Sequence, residues 1–241
     1  MQHRQLSAHE AIWYDPQWLA DPAVPVFDPA YWHQQQRVLG QASGRGTTWF
    51  IRSEGGDAAL RHYRRGGLFG KLVRDCYWFS GWDNTRSQQE FVLLQRLRAA
   101  GVNVPKPLAA RAVKRGLCYR ADLITAKIPA ARDLADLLQQ GPLDAEEYHC
   151  IGAEIARLHR AQVNHTDLNI HNILLDTSGR VWLIDFDKCY AQSGDSWQQS
   201  NLDRLLRSFR KEMIKRAIHW QEQDFAALLA GYNASLKPQG L

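Results

Sequence analysis

One stretch constrains this chain more than any other. From residue 164 it reads Asn164-His165-Thr166-Asp167-Leu168-Asn169-Ile170-His171-Asn172-Ile173-Leu174-Leu175, then Asp176-Thr177-Ser178-Gly179, and then Val181-Trp182-Leu183-Ile184-Asp185-Phe186-Asp187. Two short apolar runs around an Asp-Thr-Ser-Gly turn predict an antiparallel hairpin, because those turn residues bond locally and Gly tolerates the reversal. Folding the hairpin returns Asp185 to the neighbourhood of Asn172. Carboxylate and amide oxygens then converge beside Asp167. Hard oxygen donors of that kind suit a magnesium ion carrying phosphates, and a further carboxylate suits the proton of an attacking hydroxyl.

The rest of the composition agrees with an enzyme-sized globular chain. In 241 residues, 45% are apolar and 23% charged, which excludes a disordered tail, and the formal net charge of +5 favours anionic partners. No stretch approaches the length of apolar sequence that spans a membrane, so any membrane contact is expected to be adsorption. Met1 to Trp18 mixes His, Arg, Asp and Glu among its apolar residues and does not read as a secretory signal. Cys76, Cys118, Cys150 and Cys189 lie far apart without a CxxC pair. Neither a zinc site nor a disulfide framework is expected, and a reducing compartment is.

Without repeats or low-complexity tracts, the chain reads as a single domain over 1–241 with two lobes. Residues 1–28, rich in Pro, Trp and Asp, read as an irregular leader. Asp28-Pro29 predicts a helix start running through Trp32 towards Val38. Gly44-Arg45-Gly46 and Gly55-Gly56-Asp57 bound strands over Thr47 to Ile51 and Ala58 to Tyr63. Phe91, Leu94 and Leu97 predict a helix from Arg86 to Ala100 that stops at Gly101. A strand over Tyr119 to Thr125 is followed by helices over Asp133 to Gln140 and Glu146 to Ala161. Strands first and helices later predict an α+β chain, a small antiparallel-sheet lobe over about 29–125 and a helical lobe over about 126–241.

His165-x-Asp167-Leu168-x-x-x-Asn172 resembles the catalytic loop of the protein-kinase fold, and Asp185-Phe186-Asp187 stands where that fold has Asp-Phe-Gly, with Asp187 replacing the glycine. The resemblance implies ATP as phosphoryl donor, Asp167 as the catalytic residue that orients the acceptor hydroxyl and takes its proton, and Asn172 and Asp185 as ligands of Mg2+. It further implies Gly44 and Gly46 as a shortened phosphate-covering loop. Arg61 in Ala58-Ala59-Leu60-Arg61 stands at the position of the phosphate-binding lysine, with Glu90 as its partner.

Five segments together resemble the Kdo (3-deoxy-D-manno-octulosonic acid) kinase family of lipopolysaccharide assembly. They are Leu60 to Lys71, Asn84-Thr85-Arg86-Ser87, Val104-Pro105-Lys106-Pro107, Tyr119-Arg120-Ala121-Asp122-Leu123 and His165 to Asn172. The likeness runs from about Tyr31 to Lys215. It implies phosphorylation of the 4-hydroxyl of Kdo on a lipid A precursor, by a peripheral protein on the cytoplasmic side of an inner membrane.

The distribution of charge is independent of that resemblance. Arg61 to Arg74 carries cations without an acid. Arg204, Arg207, Arg210, Lys211, Lys215 and Arg216 face Glu212 alone, with Leu205, Phe209 and Ile214 set apart, as in a basic amphipathic helix that an anionic membrane surface attracts. A phosphotransferase for another alcohol or a protein, or a non-catalytic polyanion-binding scaffold, are the competing readings. Nucleic acid is not an expected partner, since aromatic RNA motifs and zinc-finger spacings are missing. His165 is expected to brace the loop, His159 and His171 to be packed, and Asp203 to anchor the loop from the following helix.

Overall fold

The structure, a computed structural model, describes residues 1–43, 46–65 and 75–236. The chain is α+β and divides into two compact units, 1–95 with 106–127 and 96–105 with 128–241.

The first unit is built on an antiparallel sheet. Its elements are β1 (Gln2–Ser7), β2 (Glu10–Tyr14), α1 (Pro29–Gln34), β3 (Val38–Ser43), β4 (Thr47–Ser53), β5 (Gly56–His62), β6 (Tyr77–Trp78), α2 (Arg86–Ala99), β7 (Pro107–Arg115) and β8 (Cys118–Ala126). The strand order is β1-β2-β7-β8-β5-β4-β3, with β6 on the free end of β8. Residues 86–95 of α2 belong to this unit and its last turn to the other. Asp28 caps α1 by accepting from the Ala30 N–H at 2.9 Å, with Pro29 at the first helical position. Gly101, at φ +79°, follows α2 as its stop.

Residues 1–28 are not an irregular leader: β1 and β2 form one edge of the sheet, and β2 runs antiparallel to β7 from Glu10↔Val113 to Tyr14↔Ala109. Ala11, Ile12, Trp13 and Tyr14 are all buried, so β2 is covered on both faces and lacks the alternation that would have marked it. Ile12, Trp32, Ile51, Leu60 and Ile124 share one core with Leu19 and Phe27 from the segment between β2 and α1. A second difference concerns cysteine. Cys76 and Cys118, expected to stay apart, are joined as a disulfide with Cα atoms 5.7 Å apart. Cys76 directly precedes β6 and Cys118 opens β8, the strand on which β6 pairs.

The second unit contains β9 (Arg132–Asp133), α3 (Leu134–Leu138), α4 (Ala145–Arg160), β10 (Val163–Asn164), β11 (Ile173–Leu175), β12 (Val181–Leu183), β13 (Tyr190–Ala191), α5 (Gln198–Arg216) and α6 (Glu222–Leu236). A capping box starts α4: Asp144 accepts from the Glu147 N–H, and the Glu147 carboxylate accepts from the Asp144 N–H, each at 2.8 Å. α4 packs on α6 through two glycines. A Cβ on Gly152 would collide with the Leu228 carbonyl, and one on Gly231 with the His149 backbone, so the helices approach at a spacing only glycine permits.

Glu154, buried on α4, fastens residues 96–105 into this unit. It accepts from the Asn103 backbone N–H at 2.6 Å and from Asn103 Nδ2 at 3.0 Å, and it also pairs with Arg157. The Leu183 N–H donates to the Asn103 carbonyl at 2.9 Å, which ties the same segment to β12. Among the described residues, no helix is long and apolar enough to cross a membrane.

Candidate active site

One short ladder closes the His165–Asp187 segment and a second folds it from within. β10 pairs with β13, Asn164 opposite Tyr190, and β11 pairs with β12, Ile173 opposite Leu183. The turn between β11 and β12 is held by Asp176, whose Oδ1 accepts from the Ser178 and Arg180 N–H groups at 2.9 and 3.1 Å. One rung beyond β12, the Ile184 N–H donates to the Asn172 carbonyl at 3.0 Å. The hairpin therefore sets Asp185 next to Asn172, as its sequence predicts.

The loop is then wired through its backbone. His165 is fully buried, and its Nε2 lies 3.0 Å from the Ile184 carbonyl while its Nδ1 accepts from the Asp167 N–H at 3.3 Å. Those partners assign the ring proton to Nε2. Burial lowers the pKa of this imidazole, so it stays neutral and braces the loop, with the ring of Phe186 4.8 Å away. The Asp167 carbonyl accepts from Asn169 Nδ2 at 2.8 Å and from Asn172 Nδ2 at 3.0 Å. Tying the amide nitrogen of Asn172 to the loop leaves its Oδ1 as the end that could hold a cation. Asp167, Asn172 and Asp185 are thus gathered by one loop and one hairpin.

Asp185 has φ +62°, a left-handed conformation that costs an L-residue energy and that Asp tolerates better than most. The next left-handed residue is Lys188, at φ +67°. Asp187 itself is outside that region, which explains how the chain dispenses with a glycine there.

In the first unit, Arg61 and Glu90 meet. One guanidinium nitrogen of Arg61 donates to both Glu90 oxygens, at 2.7 and 2.6 Å. Sequence reasoning missed the third member. Tyr63 donates its hydroxyl to Glu90 Oε2 at 2.5 Å, and the Arg61 guanidinium carbon lies 4.8 Å from the Tyr63 ring centroid. Residues 61 and 63 have the two-residue spacing that puts side chains on one face of extended backbone, but that spacing does not show which partner will stand opposite. His62 points the other way, to Asp122 Oδ1 at 2.7 Å and Asp75 Oδ2 at 3.3 Å. The hydrogen bond with Asp122 raises its pKa. Gly46 sits before β4, and a Cβ there would meet Arg64 Cδ at 3.3 Å, so the glycine leaves room for that arginine's stem. Gly44 lies outside the described residues, as does most of the basic run from Arg61 to Arg74.

Three further expectations are corrected. The loop's anchor is Asn201, not Asp203: Asn201 Oδ1 accepts from the His165 N–H at 3.2 Å, and its Nδ2 donates to Asn164 Oδ1 at 2.9 Å. Asp203 is exposed and accepts from Gln199 instead, because a helix turns residue 203 away from the face that carries 201. Ser208, also on α5, accepts from the Ile170 N–H at 3.2 Å. His171 is not packed. It is partly exposed between Asp133 Oδ2 at 3.7 Å and Glu212 Oε1 at 3.6 Å. Ile214 does not join Leu205 and Phe209 in the core but is 85% exposed on the basic face of α5. On that face Arg210 pairs with Glu222 and Arg216 with Asp136, while Arg204, Arg207, Lys211 and Lys215 are exposed. His159 is buried as expected, with Nδ1 2.7 Å from the Tyr232 hydroxyl, and burial brings its pKa down to about 4.

Comparison with known proteins bears on this site. The model of the lipopolysaccharide kinase (Kdo/WaaP) family matches residues 29–232. The 3-deoxy-D-manno-octulosonic acid kinase of Vibrio vulnificus (strain YJ016) is 57% identical over 234 residues, covering 97% of this chain and 99% of that protein. The enzyme of the same name from Vibrio cholerae serotype O1 (strain ATCC 39315 / El Tor Inaba N16961) is 58% identical over 221 residues, 92% of this chain and 94% of its own. That from Haemophilus influenzae (strain PittEE) is 50% identical over 221 residues, 88% of this chain and 92% of its own.

Proposed function

The chain belongs to the lipopolysaccharide kinase (Kdo/WaaP) family, and from that premise we propose that it transfers the γ-phosphoryl group of ATP to the 4-hydroxyl of Kdo on a lipid A precursor during lipopolysaccharide core assembly. Full-length identity to kinases named for Kdo supports the acceptor. The observation that carries the chemistry is the loop that gathers Asp167, Asn172 and Asp185.

In this reading the Asp167 carboxylate accepts the proton of the 4-hydroxyl as the new O–P bond forms and the bond from the β–γ bridging oxygen to the γ-phosphorus breaks, releasing ADP. The donors present fit Mg2+, because the Asn172 amide oxygen and the Asp185 carboxylate are both hard oxygens and the Asn172 nitrogen is already engaged by the loop. When bound, that ion neutralises charge on the phosphate oxygens. Arg61 donates to phosphate through its planar fork, and Glu90 and Tyr63 set the plane of that fork. Gly44 and Gly46, which precede β4 in the sequence, are the residues that would cover the phosphates.

The single domain over 1–241 is read as a two-lobed protein-kinase-like fold: the sheet-bearing lobe, expected over about 29–125, gains β1 and β2 and gives up residues 96–105, and the helical lobe runs over about 126–241. Its partner besides the acceptor is the anionic cytoplasmic surface of the inner membrane, where the protein sits peripherally. The exposed cations Arg204, Arg207, Lys211 and Lys215 of α5 suit that surface, and nucleic acid is not a partner. The test is direct: purified protein with labelled ATP and magnesium is offered lipid A precursor with and without Kdo. Label on the Kdo-bearing lipid alone is expected, and equal or no labelling of the two overturns the assignment.

A further inference from the structure

The end of the first unit formed by β6 and the β7–β8 hairpin carries two large apolar side chains in water. Trp78 is 68% exposed and Leu117 is 72% exposed. They come from adjacent rungs of one ribbon. Trp78 is opposite Cys118, and the Phe79 N–H donates to the Leu117 carbonyl at 3.0 Å. Gly116, at φ +59°, closes the two-residue turn with Leu117 at its tip, a place where folding asks only for a polar or small residue.

Beneath the tip the ribbon carries packed aromatic rings and two cations. The Tyr77 and Tyr119 rings lie 5.6 Å apart, Phe79 and Trp82 pack edge to face at 4.9 Å, and Lys114 Nζ lies 4.8 Å from the Phe79 ring centroid. Arg115, exposed, pairs across the turn with Cys118. Among the described residues neither Lys114 nor Arg115 has an ion-pair partner, and the nearby Asp75 is engaged by Arg120 and His62. Exposed Trp and Leu on a preformed tip, backed by cations, match the chemistry of a bilayer interface with anionic headgroups. Indole sits at the headgroup boundary, aliphatic carbon enters the acyl region, and Lys and Arg stay with the phosphates.

We propose that this tip docks on an anionic lipid surface, with Trp78 and Leu117 entering the acyl boundary and Lys114 and Arg115 at the headgroups. The site is separate from the basic face of α5. It deepens the membrane part of the functional reading and rests on that part alone, since docking needs neither nucleotide nor acceptor.

The experiment is sedimentation with vesicles of phosphatidylcholine alone and of phosphatidylcholine with a third phosphatidylglycerol, with no ATP present. Wild type is expected to sediment with the anionic vesicles only. Trp78→Ser with Leu117→Ser is expected to lose about tenfold in partition coefficient on those vesicles, and Lys114→Gln with Arg115→Gln a similar factor together with part of the salt dependence. Trp78, Leu117 and Arg115 are exposed and Lys114 is half-buried against Phe79, so melting temperatures should stay within a few degrees of wild type. Wild-type partitioning by both double variants overturns the proposal, as does wild type that stays in the supernatant with either vesicle and so points to a protein partner for the tip. Phosphoryl transfer to Kdo is read in a separate assay, so loss of one reading leaves the other standing.

Discussion

The two groups of candidate residues are held in place by opposite means. Arg61, Glu90 and Tyr63 hold one another by side chain: a carboxylate that is 4% exposed receives a guanidinium and a phenol hydroxyl. Around Asp167, Asn172 and Asp185 the wiring instead runs from side chain to backbone, through the Asp167 N–H and carbonyl and the Ile184 carbonyl. The difference separates two kinds of substitution. Removing a member of the first group takes a side-chain partner from its neighbours in a low dielectric, whereas truncating Asp167 leaves intact every bond its backbone makes.

The sharpest way to break that contrast is Asp167→Ala. Loss of a positioned base costs a factor of order 10³ in turnover, and stability is expected to stay within about 0.5 kcal/mol of wild type. Steady-state kinetics and urea titration measure the two. A large fall in stability would show that the carboxylate, not the backbone, holds the loop. Glu90→Ala is the mirror experiment. It leaves the Arg61 cation and the Tyr63 hydroxyl without their carboxylate, and because Arg61 is partly exposed the expected loss is about 2 to 3 kcal/mol, at the low end for broken buried pairs. Glu90→Gln, which keeps an acceptor, is expected to recover part of the stability while KM for ATP stays raised.

The loop around Asp167 was legible in the sequence because its information is local: an apolar run, a turn and a second run fix the return of Asp185 to Asn172 within a few residues. Helix starts and stops were legible for the same reason, as at Asp28-Pro29 and Gly101. What was hidden depends on long-range partners. β2 looked like leader because residues 11–14 are all buried, Ile12 and Tyr14 in the core with Leu19 and Phe27 and Ala11 and Trp13 on the other face, so no alternation marked it. The anchor was assigned to Asp203 when Asn201 does the work, since the phase of α5 against the loop is a tertiary fact. Tyr63 escaped for want of a partner: nothing near it in sequence shows that Glu90 will stand opposite.

Histidine sharpens the comparison through pH. His62, in the first unit, has its pKa raised by Asp122, so its contribution is complete below the unfolded value and is lost as pH rises through the folded one. His159, in the second, is buried neutral with a pKa lowered from 6.5 to about 4. The unfolded chain takes up that proton first, so its contribution is complete above pH 6.5 and falls as pH drops towards about 4. His165 adds to the same slope, its pKa also lowered by burial. Urea midpoints taken downward from neutral pH are expected to report a loss of about 2 kcal/mol near pH 5 from His159 alone. His159→Gln should flatten that slope whatever it does to stability at neutral pH, and an unchanged slope would remove His159 as its source.

The smallest expected effect tests whether backbone wiring is itself positioned from outside the loop. Asn201 is 4% exposed and bridges two points, accepting from the His165 N–H and donating to the Asn164 side chain. Asn201→Ala leaves a buried N–H without its acceptor, worth about 1 kcal/mol of stability. The residue touches neither the proposed acceptor nor phosphate, so its effect on chemistry has to pass through His165 to the Asp167 N–H. That route moves the base without altering nucleotide contacts, and the expected signature is a kcat lowered about fivefold with KM for ATP unchanged. Asn201→Asp keeps the acceptor for His165 but loses the donor to Asn164, and it should therefore restore most of kcat. If KM rises with either substitution, α5 contributes to nucleotide binding, and the separation between the ion-paired group and the backbone-wired loop is weaker than the geometry indicates.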